Sequence, residues 1–314
     1  MNTRRQLGEL AVVLVGVSIL TFLMIRLVPG DPVAIILGDE ANVDPARVAA
    51  LRAQLGLDQP IVVQYAVWIW RLLHGDFGTS VGTGEPVLGE ILGRVGVTAE
   101  VTALALILAI LLAIPAGAVM AVFRSSAGEV LVRLVSIVGI TVPSFWLGAM
   151  LLTAAAALTP GLALVGWVPF AEDPRAHLQH LALPVIALAL PVLAALARTL
   201  RANLLDALGQ DYIRTARAKG VAEPLVVLRH ALRNALIPFV TQAGILAGYL
   251  FGGSVVIEQV FALPGLGRLM VGAIAERNYP LIQAAILLST TVFVVINFLV
   301  DLVYAALDPR VGQR

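Results

Sequence analysis

Six stretches of this chain are too long and too apolar to sit comfortably in water. They run from about Glu9 to Val28, Val101 to Phe123, Leu134 to Leu158, Leu181 to Leu200, Asn234 to Ile257 and Leu281 to Ala306. A helix needs roughly 20 apolar residues to cross a hydrocarbon core of ~30 Å. Inside lipid the backbone must satisfy its own N–H and C=O groups, so helices are the expected form. The runs are continuous rather than alternating, unlike barrel strands. Composition agrees, because 59% of the 314 residues are hydrophobic and only 13% are charged. An ordinary soluble domain carries about 25% charged residues. The expected fold is an all-α integral membrane protein with six transmembrane helices.

The first run follows MNTRRQ, a start that a signal peptide could share. No small-residue cleavage site comes after it; LVPGDP does, so residues 1–28 read as an uncleaved first helix. Residues 29–96 then form a segment between spans one and two, and residues 97–314 carry the other five spans.

Orientation follows from the basic residues in the short flanks. Arg4, Arg5, Arg124, Arg133, the stretch Arg198 to Arg233, Arg310 and Arg314 fall on one side, 13 basic residues in all. The other side holds eight, and its longest segment, Pro29 to Gly96, is acidic, with eight Asp and Glu against four Arg. Both termini are therefore expected in the cytoplasm, with 29–96 outside. In that outer segment, Asp44 and ARVAALRAQLG predict a short helix ending at Gly56. Tyr65, Trp68 and Trp70 suit a helix at the headgroup level. Asp76 to Gly84 reads as turns.

Several chemistries are excluded early. There is no cysteine, so neither a disulfide nor a thiolate metal site can form. A phosphate-binding P-loop needs Lys followed by Ser or Thr. The only lysine, Lys219, is followed by Gly220. His177 and His180 are three apart but lack a third ligand, so they read as helix-end or packing residues rather than a metal pair. Arg26 and Glu100 lie near outer ends and are expected to snorkel or pair. Asp301 stands alone in the sixth run, without acidic or His partners for a proton relay. No nucleophile–base pair appears, so no catalytic residue is assigned.

The most polar interruption is residues 206–234. Asp206 to Lys219 reads as one helix stopped by Gly220, the residue best suited to a left-handed C-terminal cap. Pro224 fits the first turn of a second helix running to about Asn234. That helix places Leu225, Leu228 and Leu232 on one stripe, flanked by Arg229 and Arg233. Ala216 and Ala218 leave the first helix thin enough for another surface to approach. Arg198 to Arg233 holds seven basic and three acidic residues. Charge alone makes this a loop lying on anionic headgroups. It has no aromatic set for stacking bases, so nucleic acid is not an expected partner. In the fifth run, Gly244, Gly248 and Gly252 recur every four residues on one helix face, a small-residue row that allows close helix approach.

RTARAKG followed by LRHALRNALIP resembles the EAA loop of binding-protein-dependent ABC importer permeases, in the dipeptide/oligopeptide/nickel family. Further similar strings lie along nearly the whole chain: TFLMIRLVPGDP, LGLDQPIVVQY, GDFGTS, TVPSFWLG, GQDY, VFALPGLGRL and DPR. The resemblance implies the type I ABC importer permease architecture in the inner membrane of a prokaryote. It implies partners as well: a second permease subunit forming a heterodimer, two cytoplasmic ATPases and an extracytoplasmic substrate-binding protein. No cofactor is implied in this chain, since ATP and Mg would sit on the ATPases, and the chain itself is not expected to be an enzyme. The coupling residues implied are Tyr212, Arg214, Thr215, Ala216, Arg217, Ala218, Lys219, Gly220, Arg229, His230, Arg233 and Asn234. Ala216 and Gly220 match the motif's small residue and glycine, whereas Arg214 stands where the broad family has Glu. A proline common near Arg94 to Val97 is also absent. Gly244, Gly248 and Gly252 would pack helices or line a path between two permeases. The resemblance further implies that 29–96 and the Glu258 to Arg268 turn face the binding protein.

The expected substrate is a di- or oligopeptide. Nickel, glutathione or an oligosaccharide would use the same machinery. A secondary transporter would show mid-membrane charges and broken repeats, and an intramembrane enzyme would show a catalytic set at depth; neither pattern is evident.

Overall fold

The computed structural model describes residues 3–27, 58–123, 126–159, 161 and 164–307, without the side chains at 3–7, 25 and 301–307. The helix expected over Asp44 to Gly56 lies outside the described residues. So do the side chains of Arg4, Arg5, Arg124, Asp301, Arg310 and Arg314.

The described residues are helical throughout, apart from turns and a single bridge between Thr79 and Pro86. The helices are α1 Thr3–Leu27, α2 Ile61–Leu73, α3 Val87–Val122, α4 Ala127–Thr141 and α5 Ser144–Leu158. They continue as α6 Pro174–Leu208, α7 Asp211–Ala218, α8 Leu232–Val260, α9 Leu266–Ala275 and α10 Tyr279–Leu307. Four stretches are long and apolar enough to cross a membrane: Val87–Val122, Pro174–Leu208, Glu223–Val260 and Tyr279–Val300. The bent pair α4–α5 makes a fifth if it is one span. The apolar part of α1, Gly8–Met24, is shorter.

α6, α8 and α10 overrun their apolar runs at both ends, and α3 overruns its run at the start. α6 starts at Asp173, whose carboxylate accepts from the N–H groups of Arg175 and Ala176, with Pro174 in the first turn. It carries Pro184 and Pro191 inside the helix without ending there. Lipid offers the backbone no competing partner, so helices tolerate proline better there than in water.

The third expected span, Leu134 to Leu158, is not one straight helix. α4 and α5 meet at 111°. Pro143 has no N–H to continue the ladder, and it drives Val142 into an extended conformation, φ −84° and ψ 125°. Pro143 then serves as the N-cap of α5.

Contacts divide the chain into two compact units. One comprises Gly96–Arg268 with Phe293–Arg314, the other Asn2–Val95 with Leu269–Val292. In the first, α6 is the central helix: two-thirds (67%) of its most apolar window is buried, against 22% for Tyr279–Val300. α4, α5 and α8 pack on it. Small residues set the spacing. Gly117 of α3 lies so close to α6 that an added Cβ would stand 2.8 Å from the Ala197 carbonyl, and one added to Gly139 of α4 would stand 3.0 Å from the Leu190 carbonyl. Lipid gives no hydrophobic drive for helices to associate, so close packing of this kind must supply the cohesion. In the second unit, α2 lies against α1 through Phe22, Tyr65 and Trp68, with ring centroids 5.2–6.1 Å apart. Asn278 is buried there, donating to Ser80 Oγ at 2.7 Å and accepting from the Val81 N–H.

Candidate functional site

The polar insert has a fixed geometry that differs in three ways from its sequence reading. Asp206 to Lys219 is not one helix. α6 ends at Leu208, Gln210 is extended (φ −75°, ψ 154°), and α7 starts afresh at Asp211. The interruption falls at Gly209, whose low helix propensity makes the break inexpensive. Secondly, nothing stops the second helix at Asn234. A single turn at Glu223–Leu225 and a π-helical turn at Val226–Ala231 run directly into α8.

Thirdly, the buried face is different. The π-turn widens the helix by an i→i+5 pattern and shifts its register. Val226, Val227 and Ala231 are therefore buried, while Leu225 and Leu228 are exposed, at 51% and 63%. Ala216 likewise faces inward beside Ile213, leaving Ala218 outside. The apolar stripe that looks like a core is a surface, because a 3.6-residue period does not describe this turn.

Two polar bridges tie the halves together. Arg217 spans the turn to Glu223 with Nε to Oε2 at 3.0 Å and Nη2 to Oε1 at 2.5 Å. Asn234 donates to the Tyr212 hydroxyl at 2.9 Å. Arg214, which stands where a Glu was awaited, pairs within its own helix to Asp211 at 3.3 Å, and Thr215 bonds the Asp211 carbonyl. Lys219, Arg229 and Arg233 are exposed and make no ion pair among the described residues, and His230 is half-buried. Gly220 has φ +76°, as expected. Its N–H bonds to the Arg217 carbonyl and that of Val221 to the Ala216 carbonyl, the paired bonds of a left-handed helix cap. Beneath the insert, a cavity of about 340 Å³ is lined by Ala121, Leu205, Gly209, Arg217, Glu223 and Val227.

The profile described as binding-protein-dependent transport system inner membrane component matches residues 113–313, and its N-terminal companion matches residues 2–102. The chain belongs to this family. It is a multi-pass inner-membrane permease of a binding-protein-dependent ABC transport system. A peptide transport system permease protein of Brucella suis is 43% identical over 307 residues, covering 98% of this chain and 97% of the relative. The glutathione transport system permease proteins GsiC of Salmonella typhimurium and Escherichia coli K12 are 42% and 41% identical. Each covers 99% of this chain and 98% of its own length.

The permease's glycine row is not uniform. Gly244 meets Val300 and Gly248 meets Phe293, so closely that a Cβ would approach to 2.0 Å and 2.6 Å. Gly252 has open space around it. Two of the three glycines thus seat α10 against α8, and the third is on a free face.

At the other end of α8 lies a site that the sequence reading missed. Glu258 was assigned to a turn with Leu263-Pro264-Gly265 at its centre, but α8 continues to Val260 and Glu258 is fully buried within it. Its Oε1 accepts from Thr98 Oγ1 at 2.7 Å and lies 3.2 Å from Ser254 Oγ. Its Oε2 accepts from the Arg268 N–H at 3.0 Å. The Thr98 hydroxyl accepts in turn from the Leu266 N–H at 2.8 Å. Thr98 and Glu258 together therefore cap α9, giving the N–H groups of its first turn acceptors. The backbone of Glu258 is engaged too, as its carbonyl accepts from the Leu263 N–H in a left-handed cap at Ala262 (φ 53°). Gly265 is obligatory here, since a Cβ would fall 2.3 Å from the carboxyl carbon. The available signal was an acid in the last turn of an apolar helix, seven residues ahead of a Gly.

The two histidines are packing residues, as expected. His177 is buried, with Nδ1 2.7 Å from the Val168 carbonyl and Nε2 2.9 Å from Glu100 Oε1. Trp167 and Phe170 present their edges to its ring. His180 Nδ1 lies 3.1 Å from the Gly166 carbonyl. Among the described residues no three His, Asp or Glu side chains group as a metal site.

Proposed function

We propose that this permease carries di- or oligopeptides inward, delivered by an extracytoplasmic binding protein and driven by ATP hydrolysis on separate subunits. In this reading the chain has six spans, with α1 as the first and the α4–α5 pair as the third, and both termini are cytoplasmic. The permease core is residues 97–314, and residues 29–96 face the binding protein. A second, different permease chain completes the pathway. ATP and Mg belong to two ATPase subunits, and no covalent step falls to this chain.

The observation that carries the coupling role is the hairpin of α7 and the π-turn. It is exposed, basic and cross-braced, and it is continuous with α8. It would dock on the ATPase through Tyr212, Leu225, Leu228 and the free cations Lys219, Arg229 and Arg233. Because no break separates the π-turn from α8, a push on the hairpin reaches 29 residues of spanning helix as a rigid displacement. The path would then open to one side or the other by alternating access, with the free face at Gly252 turned to the partner permease.

The peptide assignment rests on relatives along the full length of the chain. Glutathione is the second reading, favoured by relatives of nearly equal identity. It is itself a small peptide, so the two readings ask similar chemistry of the pathway.

The test uses the reconstituted complex with peptide-loaded binding protein. Gly220→Val should leave insertion and ATP hydrolysis intact while uptake per ATP falls severalfold. Normal uptake at normal assembly would sink the coupling assignment. Competition between labelled peptide and glutathione would separate the two substrates.

A further inference from the structure

The second compact unit holds a cavity that the transport reading leaves unused. It has a volume of about 160 Å³ and lies between α1, α2 and Gln283 of α10. Phe22, Val63, Val67 and Trp68 form its apolar walls; Gln59, Gln64, Arg26 and Arg71 supply polar groups. Among the described residues no Asp or Glu lines it.

Arg26 is held rather than free. Its guanidinium lies 3.4 Å from the Phe22 ring centroid, Nη1 donates to the Phe22 carbonyl at 3.1 Å, and Nη2 donates to Gln64 Oε1 at 2.5 Å. The Gln64 amide is turned that way because its Nε2 donates to the Gln59 carbonyl at 2.8 Å. All of these partners are neutral. A guanidinium carries five N–H donors, and two of Arg26's are used here. The guanidinium of Arg71, exposed on α2, has no hydrogen-bond or ion-pair partner among the described residues. Among the described residues two positive charges thus share one hollow without a counter-charge, and one of them is half-buried and oriented. A partly buried charge favours an opposite charge beside it, so this hollow suits an anion.

The adjoining surface narrows what brings that anion. α2 has no buried residue, and Val62, Trp70 and Leu73 are 73%, 65% and 78% exposed. In an inner-membrane protein such a face belongs in the acyl and headgroup boundary, not in water. A ligand matching both parts has an anionic head and an apolar tail. We propose that this cavity is a phospholipid site: Arg26 and Arg71 clamp the phosphodiester, and the acyl chains lie along the exposed face of α2. Arginine suits phosphate because its planar fork presents parallel donors.

The test uses the complete transporter in nanodiscs of phosphatidylcholine containing a trace of photoactivatable phosphatidylglycerol, with crosslinks mapped by mass spectrometry. Labelling should concentrate on residues 59–73. It should fall roughly tenfold in the double variant Arg26→Gln/Arg71→Gln, from the loss of two cations at a membrane surface. The charge-keeping pair Arg26→Lys/Arg71→Lys should retain most of the label, as should Arg175→Gln elsewhere on the chain. Equal labelling in the Gln pair overturns the proposal. Equal loss in the Gln and Lys pairs overturns it too, because shape rather than charge would then be responsible. A third arm compares inorganic phosphate with chloride at matched ionic strength. Selective displacement by phosphate would make this a site for a soluble anion instead.

Discussion

The two ends of α8 solve opposite problems. At the Val260 end, a carboxylate is buried with every strong donor around it aimed inward, and the following helix starts from that carboxylate. At the Leu232 end, the charged groups are exposed, their ion pairs are solvated, and the helix begins in a π-turn. One end is held together from within, and the other presents its charges to solvent. The contrast shows that a charged residue in a membrane protein says little until its surroundings are known. Glu258 is an internal fastening, whereas Arg217 and Glu223 decorate a surface.

The largest test of that contrast is Glu258→Ala. It strips an acceptor from the Thr98 hydroxyl and the Arg268 N–H, each a buried or part-buried donor. Losses of roughly 1–3 kcal/mol per orphaned group put the cost at about 2–6 kcal/mol. Thermal unfolding of the purified complex would read this directly, and an unchanged midpoint would break the fastening argument. Glu258→Gln should cost less, since its oxygen can still accept from Thr98, while its NH2 would oppose the Arg268 N–H.

Gly220→Val comes next. The valine must adopt φ near +76°, at a cost of about 1–2 kcal/mol. Its Cβ meets nothing within 4 Å, so the strain stays in the backbone of the turn. Stability should therefore drop modestly while coupling drops sharply, and the two readouts should not scale together.

Ala262→Gly should act in the stabilising direction. Ala262 is left-handed, and removing its Cβ relieves strain, partly offset by the freer unfolded chain. A net gain of about 0.5–1 kcal/mol follows. Transport should not change, because the junction is already rigid.

The smallest effect belongs to Arg217→Ala. Both partners of the Arg217–Glu223 pair are well exposed, and solvated pairs of this kind contribute little. The melting temperature should not move measurably. Any change should be in ATPase affinity, and it should weaken as salt rises.

Much of this architecture was readable from the residues. The apolar runs mark the helices because span length is dictated by the bilayer. Gly220 marks its turn because a glycine after a helix is the usual left-handed cap. The same cap at Ala262 and another at Arg277 were invisible, since non-glycine residues rarely adopt positive φ and carry no signature when they do. The π-turn was invisible for a related reason: its period differs from the one any helical pattern assumes, so the stripe of Leu225, Leu228 and Leu232 did not reveal that Leu225 and Leu228 are exposed. The bend at Pro143 was legible in principle, but a proline alone does not end a helix in this chain, as Pro184 and Pro191 show. The Glu258 site required knowing that Thr98, 160 residues earlier, lies beside it.

The double use of Glu258 sets a length as well as a shape. Its carbonyl closes one helix and its carboxylate opens the next, so the chain between Glu258 and Arg268 has no slack. An added residue there must break one of the two closures, and a deleted one must break the other. A reporter tag or protease site placed in this segment should unfold the junction. The same insertion beside Gly75, with φ 81° and open space around it, should be carried without loss.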